Sequence, residues 1–267
     1  MNYVLLSSLS FFVGILVGLT GIGGASLITP MLILIFQVPA SVAIGSDVVA
    51  ATLMKIVGAA RHWQQQTVDF QVVRWLASGS VPGALLGVWL LHLIQQSSPI
   101  NLDTILLQLL GIAILLITLV ALIQMLLLIF APTLQLPVLP KLNLETLSGK
   151  ISAIVIGAIL GCVVGMTSVS SGSMFALVLI ALFRLDAQKL VGTDLLQAAI
   201  LLGFTSLGHL SLGTVDWSIV IPIWIGSIPG VLLGAKLCQL LPQRPLRFVI
   251  YAILIMVSWK LVHAGSI

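Results

Sequence analysis

Apolar runs long enough to cross a membrane follow one another along almost the whole chain, and hardly a charge interrupts them. That pattern limits the possible folds more than any other feature. A helix rises about 1.5 Å per residue, so it needs roughly 20 apolar residues to cross a bilayer's hydrocarbon core. The runs lie near residues 3–19, 24–36, 42–60, 72–93 and 104–130, then near 151–167, 174–183, 188–208, 218–241 and 246–263. The second run of each set is short and reads as a half-span or re-entrant segment. Of 267 residues, 60% are hydrophobic and 7% charged, against about 25% charged in an ordinary soluble domain. Glu145 is the only glutamate. Too little polar surface is available to face water, so lipid is the main solvent. The expected class is an all-α polytopic membrane protein, which excludes a cytosolic enzyme, a secreted disulfide domain and a disordered chain.

The formal charge is +4, but the basic residues are scattered between apolar runs and form no patch for nucleic acid. Cys162 and Cys238 sit inside apolar segments and read as buried free thiols. The first apolar run leads into a Gly-rich motif, so it reads as a membrane segment and not a cleaved signal. Alternating crossings place Arg61, Arg74, Lys141, Lys150, Arg184, Lys189, Arg244 and Arg247 on one side, eight of the eleven basic residues. That side is expected to be cytoplasmic, with both termini outside, in the cell (inner or plasma) membrane. Lys55, Lys236 and Lys260 lie within or beside apolar segments.

Residues 131–150 hold Pro132, Pro137, Pro140, Lys141, Asn143 and Glu145, a polar linker dividing residues 1–130 from residues 151–267. The two parts repeat each other. Val17-Gly18-Leu19-Thr20 recurs as Val164-Gly165-Met166-Thr167, an offset of 147 residues (17 to 164). At that offset Asp47 meets Asp194, His62 meets His209, Asp69 meets Asp216, and Gly79-Ser80-Val81-Pro82-Gly83 meets Gly226-Ser227-Ile228-Pro229-Gly230. About 25 positions between Gly14 and Leu91 are identical, without a gap. An odd number of crossings per unit inserts the second copy upside down. Arg61 and Arg74 are replaced by Gly208 and Ile221, as inverted insertion requires. Inverted repeats with broken helices are the architecture of secondary transporters, whose site lies at the repeat interface.

The same residues carry a family likeness. Gly21-Ile22-Gly23-Gly24-Ala25-Ser26 with Pro30, the run from Val191-Gly192-Thr193-Asp194 through Gly208-His209 and Thr214-Val215-Asp216-Trp217, and the doubled Ser-x-Pro-Gly-x-Leu-Leu-Gly resemble the TauE/SafE sulfite-exporter family. The resemblance implies an inner-membrane permease for small sulfur-containing anions such as sulfite, sulfonates or related carboxylates. The second copy departs from the Gly-rich turn, reading Ser168-Val169-Ser170-Ser171-Gly172-Ser173. That change bears on the substrate.

Physically, a Gly-rich turn opening a short helix aims free N–H groups and a positive dipole end at an anion. The candidate substrate-binding residues are Thr20, Gly21, Gly23, Gly24 and Ser26, with Thr167, Ser168, Ser170, Ser171, Gly172 and Ser173 in the second copy. Close helix packing is the competing reading of these small residues. Asp47 and Asp194, inside apolar segments, are candidates for proton coupling; capping their helices is the alternative. Lys55 could pair with Asp47, attract the anion or snorkel to the interface. His62 and His209 read as interfacial or gate residues on opposite faces, too far apart for one metal site. Asp69 and Asp216 read as helix N-caps. Pro82-Gly83 and Pro229-Gly230 are expected to kink or unwind their helices and so to act as hinges.

The partners expected are a small anion and the lipid bilayer, with no cofactor, metal or nucleic acid; a homodimer is left open. An intramembrane enzyme is the rival of a different class. One glutamate and no H-E-x-x-H motif leave it few acids or bases. An anion channel is closer, but it usually needs basic rings, and only Lys55 and Lys236 lie at membrane depth.

Overall fold

A computed structural model describes residues 2–20, 24–97, 102–130, 142–168, 174–185, 187–237 and 243–264. Among them every regular element is helical. The order is α1 (Tyr3–Thr20), α2 (Ala25–Leu34), α3 (Ala40–Gln64), α4 (Phe70–Ser97) and α5 (Leu102–Phe130), then α6 (Leu147–Thr167) and α7 (Met174–Val178). A π-helical turn (Leu179–Phe183) continues α7, and α8 (Ala187–Ser211), α9 (Trp217–Leu237) and α10 (Gln243–Ala264) follow. Each expected apolar run is helical over its described residues. Six of them, α3, α4, α5, α6, α8 and α9, are long and apolar enough to cross a membrane. With 10 residues, α2 covers about 15 Å, half the hydrocarbon core. The last four residues of the expected linker belong to α6, which starts at Leu147 where Thr146 accepts a bond from the Gly149 N–H at 3.1 Å. Residues 131–141 lie outside the described ones.

Local chemistry sets the helix ends. Asp69 Oδ1 accepts from the amides of Gln71 (3.1 Å) and Val72 (3.2 Å), and Asp216 Oδ1 accepts from Ser218 N (2.8 Å). Both expected N-caps are in place, each worth about 1 kcal/mol. Backbone in the left-handed region follows the short helices at Gln37 (φ 57°) and Arg184 (φ 50°). It follows α3 and α8 at Gln66 (φ 56°) and Gly213 (φ 69°). Each of these pairs is spaced by the 147-residue offset of the sequence repeat.

Two seams join the halves. Along α4 and α6, a Cβ at Gly79, Gly83 or Gly87 would fall on the carbonyl of Ile154, Ala158 or Cys162. Along α9 and α1, Gly226, Gly230 and Gly234 stand in the same way against Ser7, Phe11 and Ile15. Residue numbers rise together on both sides, so each seam is a parallel helix pair, and one seam is the other shifted by 147 residues at every contact. The absence of side chains lets the backbones meet, and close packing supplies the attraction that lipid cannot. In contrast, α3 and α8 run antiparallel: Thr52 Oγ1 lies 2.8 Å from Ser206 Oγ, while Gly58 stands beside Leu195. Two further bonds tie the crossing at its ends. Ser46 Oγ accepts from Asp216 N (3.0 Å) and Thr193 Oγ1 accepts from Asp69 N (2.9 Å), again one repeat apart.

Polarity is arranged for lipid. Ser46, Asp47, Ser80, Thr193, Gln197, Thr205 and Ser227 are fully buried, whereas Ile112, Leu116 and Ile123 of α5 and Met256 and Trp259 of α10 are exposed. One end of the bundle gathers positive charge. Arg74 and Lys150 both stand over the ring of Trp75, at 5.6 and 5.3 Å. The Leu142 N–H donates to Leu182 O (2.9 Å), bringing Arg184 to that end, and the Thr193–Asp69 bond brings the start of α8 with Lys189.

Candidate functional site

Asp47 is the eighth residue of α3, well past its first turn, so the capping alternative fails there. Its carboxylate is fully buried, and Oδ2 accepts from Thr29 Oγ1 at 2.6 Å and from Ser168 Oγ at 3.0 Å. Thr29 belongs to the short helix of the first half. Ser168 ends α6 in the left-handed region (φ 59°), where the chain enters the second Ser-rich turn. One carboxylate oxygen therefore ties together the elements flanking both candidate turns. Its other oxygen, Oδ1, is buried with no hydrogen-bond partner among the described residues. Such an atom forfeits its hydration uncompensated unless a proton, water or ligand reaches it.

Asp194 occupies the equivalent position of α8 and does not cap it either. Its neighbour is Lys55, whose Nζ lies 3.9 Å from Oδ2. Of the three readings of Lys55, pairing with Asp47 on its own helix gives way to pairing with Asp194 across the α3/α8 crossing. Lys55 does not snorkel: its side chain is only 14% exposed. Asp194 Oδ1 also lacks a partner among the described residues. One turn on, Gln197 donates from Nε2 to Ser80 Oγ of α4 at 2.6 Å, and its buried Oε1 is likewise unpartnered. Sequence reasoning missed Thr29, Ser80 and Gln197. Polar side chains within apolar runs were the available signal.

The turn residues are only partly described. Gly21, Gly23, Ser170, Ser171, Gly172 and Ser173 lie outside the described residues. Thr20 ends α1, and Gly24 precedes α2 with helical backbone (φ −57°) and no side-chain cap. Ser26 and Thr167 are buried, and Thr167 Oγ1 donates to Val163 O at 2.7 Å.

The two histidines sit at opposite ends of the bundle, because α3 and α8 are antiparallel. Each holds the loop beyond its helix: His62 Nδ1 lies 2.8 Å from Thr67 Oγ1 and His209 Nδ1 lies 3.0 Å from Thr214 Oγ1. His209 is 1% exposed, and its Nε2 lies 3.2 Å from Gly165 O of α6. Fifteen residues of one helix, about 22 Å, separate His209 from Asp194. No Ser-His-Asp triad forms with that pair. Pro82 and Pro229 do not unwind their helices, since α4 and α9 run unbroken through them. Gly83 and Gly230 are contact points of the two seams.

A polar, partly unsatisfied interior inside an apolar, multi-span shell suits a solute pathway. The comparisons with known proteins agree. Residues 6–261 match the family described as Sulfite exporter TauE/SafE. The chain is similar to probable membrane transporter protein YjnA of Bacillus subtilis (strain 168), with 37% identity over 254 residues, 95% of this chain and 97% of that protein. It is 24% identical over 241 residues to probable membrane transporter protein YdhB of the same organism, covering 90% of this chain and 92% of that one. No solved structure matches. The chain belongs to the sulfite exporter TauE/SafE family of membrane transporters.

Proposed function

We propose that this transporter is a secondary carrier for small oxyanions, such as sulfite, sulfonates or related organic anions, bound at the interface of two inverted repeats and coupled to protons. The observation that carries the reading is the convergence on Asp47: the short helix of the first half and the Ser-rich turn of the second meet at one buried carboxylate. Anion-binding N–H groups at the starts of α2 and α7 would flank that point, with the Gly-rich turn from Thr20 to Ser26 on one side and Thr167 to Ser173 on the other. The antiparallel α3/α8 crossing and the matched glycine seams support the inverted repeat, with units 1–130 and 151–267. Collection of Arg74, Lys150, Arg184 and Lys189 at one end supports a cytoplasmic face there, with both termini outside. Asp47 and Asp194 are the coupling candidates, Lys55, His62 and His209 the gating ones. Pro82-Gly83 and Pro229-Gly230 are the hinges on which the seams would flex. The exposed faces of α5 and α10 would take lipid or, in a homodimer, a second copy.

A binding screen of purified protein against sulfite, thiosulfate, alkylsulfonates and small carboxylates tests the substrate class. Saturable binding of at least one sulfur oxyanion is expected. Binding of none, alongside saturable binding of cations or neutral solutes, would reject it.

A further inference from the structure

The two repeat-related carboxylates are equipped differently. Asp47 is held by two hydroxyl donors, Thr29 and Ser168, at full burial. Its helix offers Ala50 and Lys55 where the second copy has Gln197 and Leu202. Asp194 has no hydroxyl donor among the described residues. It faces the Lys55 ammonium at 3.9 Å, beyond ideal hydrogen-bonding distance. Three residues along the same face of α8 is Gln197, so Asp194 Oδ1 and Gln197 Oε1 are two buried acceptors one turn apart without donors among the described residues.

Resting on the anion-carrier reading, we propose that Lys55 is the cation that binds the transported oxyanion and that Asp194 competes with the anion for it, so that a proton must enter with the substrate. With Asp194 ionised, Lys55 is neutralised by its neighbour and the anion finds no free charge. A proton taken from water onto Asp194 removes that competitor. The new O–H also supplies a donor on the face where both unpartnered acceptors lie, which fits a proton better than a metal ion beside an ammonium. One proton then accompanies one anion. Of the two coupling candidates, Asp194 thus carries the exchange, and Asp47, fixed by its two hydroxyls, has a positioning role.

The charged groups on neighbouring elements are few. They are Asp47, Lys55, Arg61 and His62 on α3, Arg74 and His92 on α4, Asp69 just before α4, Arg184 just after the π turn, and Lys189 and His209 on α8 itself. Among the described residues Lys55 is the one within salt-bridge distance of Asp194.

Methanesulfonate is a suitable probe because its own charge does not change across the working pH range. Its Kd for the purified wild type should rise about tenfold per pH unit once Asp194 is ionised in the free carrier. Asp194→Asn should bind at all pH values with the affinity the wild type reaches only at low pH. In liposomes it should exchange labelled for unlabelled methanesulfonate but gain nothing from a pH gradient. Lys55→Met should bind about tenfold more weakly or worse at every pH, as loss of a charge-assisted contact requires. Lys55→Arg, which keeps the charge, should retain pH-dependent binding and controls for misfolding. Wild-type affinity that is independent of pH, or wild-type affinity in Lys55→Met, would overturn the switch while leaving the anion carrier standing. Failure of the wild type to bind any sulfur oxyanion would instead remove the carrier reading itself.

Discussion

Gly161→Ala asks whether the helix seam or helix propensity governs stability. On an exposed helix the change would gain up to about 1 kcal/mol, because alanine is the better helix former. At Gly161 the new methyl meets the carbonyl oxygen, carbonyl carbon and Cα of Ser80, all closer than 3.0 Å and all backbone of α4. None of these atoms can rotate away. The helices must separate by about 1 Å, which forfeits roughly a quarter to a half of each affected contact's attraction. Overpacking of this kind costs about 1–3 kcal/mol. After the propensity gain, a net loss of roughly 1–2 kcal/mol remains, and each kcal/mol lowers Tm by about 2–4 °C in a chain of this size. Gly203→Ala is the control, since nothing lies within 4 Å of its would-be Cβ. Thermal unfolding in detergent, followed by tryptophan fluorescence, should show Gly161→Ala melting several degrees below wild type and Gly203→Ala at or above it. If both variants shift upward together, propensity governs and the seam account is wrong.

Two other outcomes follow from the geometry. Thr29→Val removes the 2.6 Å donor to the fully buried Asp47 and should destabilise the protein by about 1–3 kcal/mol, read in the same melt; an unchanged melt would show that water or another group serves the carboxylate. Gln66→Cys and Gly213→Cys occupy equivalent loop positions after α3 and α8. In intact cells an impermeant thiol reagent should label the second and not the first, and labelling of both from one side would refute inverted insertion.

Much of this architecture was legible because lipid makes the rules simple. Apolar length gave the helices, and Asp69 and Asp216 announced the starts of α4 and α9. The 147-residue repeat foretold contacts that pair off, down to the left-handed residues Gln37 and Arg184. What could not be read were the relations between helices. For Lys55 a single helix shows only its own faces, so Asp47 is the one carboxylate in view, whereas the antiparallel crossing delivers Lys55 to Asp194. Thr29 and Gln197 escaped notice for a related reason. Their repeat counterparts are Ala176 and Ala50, and searching for identity between copies passes over the positions where the copies diverge. At Pro82 and Pro229 sequence shows a missing amide but not the seam glycines and facing helix beside it, and both helices continue through.

The central claim, a proton-coupled carrier, is tested most directly by uptake of radiolabelled methanesulfonate into proteoliposomes with the pH gradient and the membrane voltage imposed separately. The account predicts a rate that saturates with substrate and accumulation that follows the pH gradient when voltage is clamped at zero. A rate that does not saturate and follows voltage alone would contradict it and identify a channel.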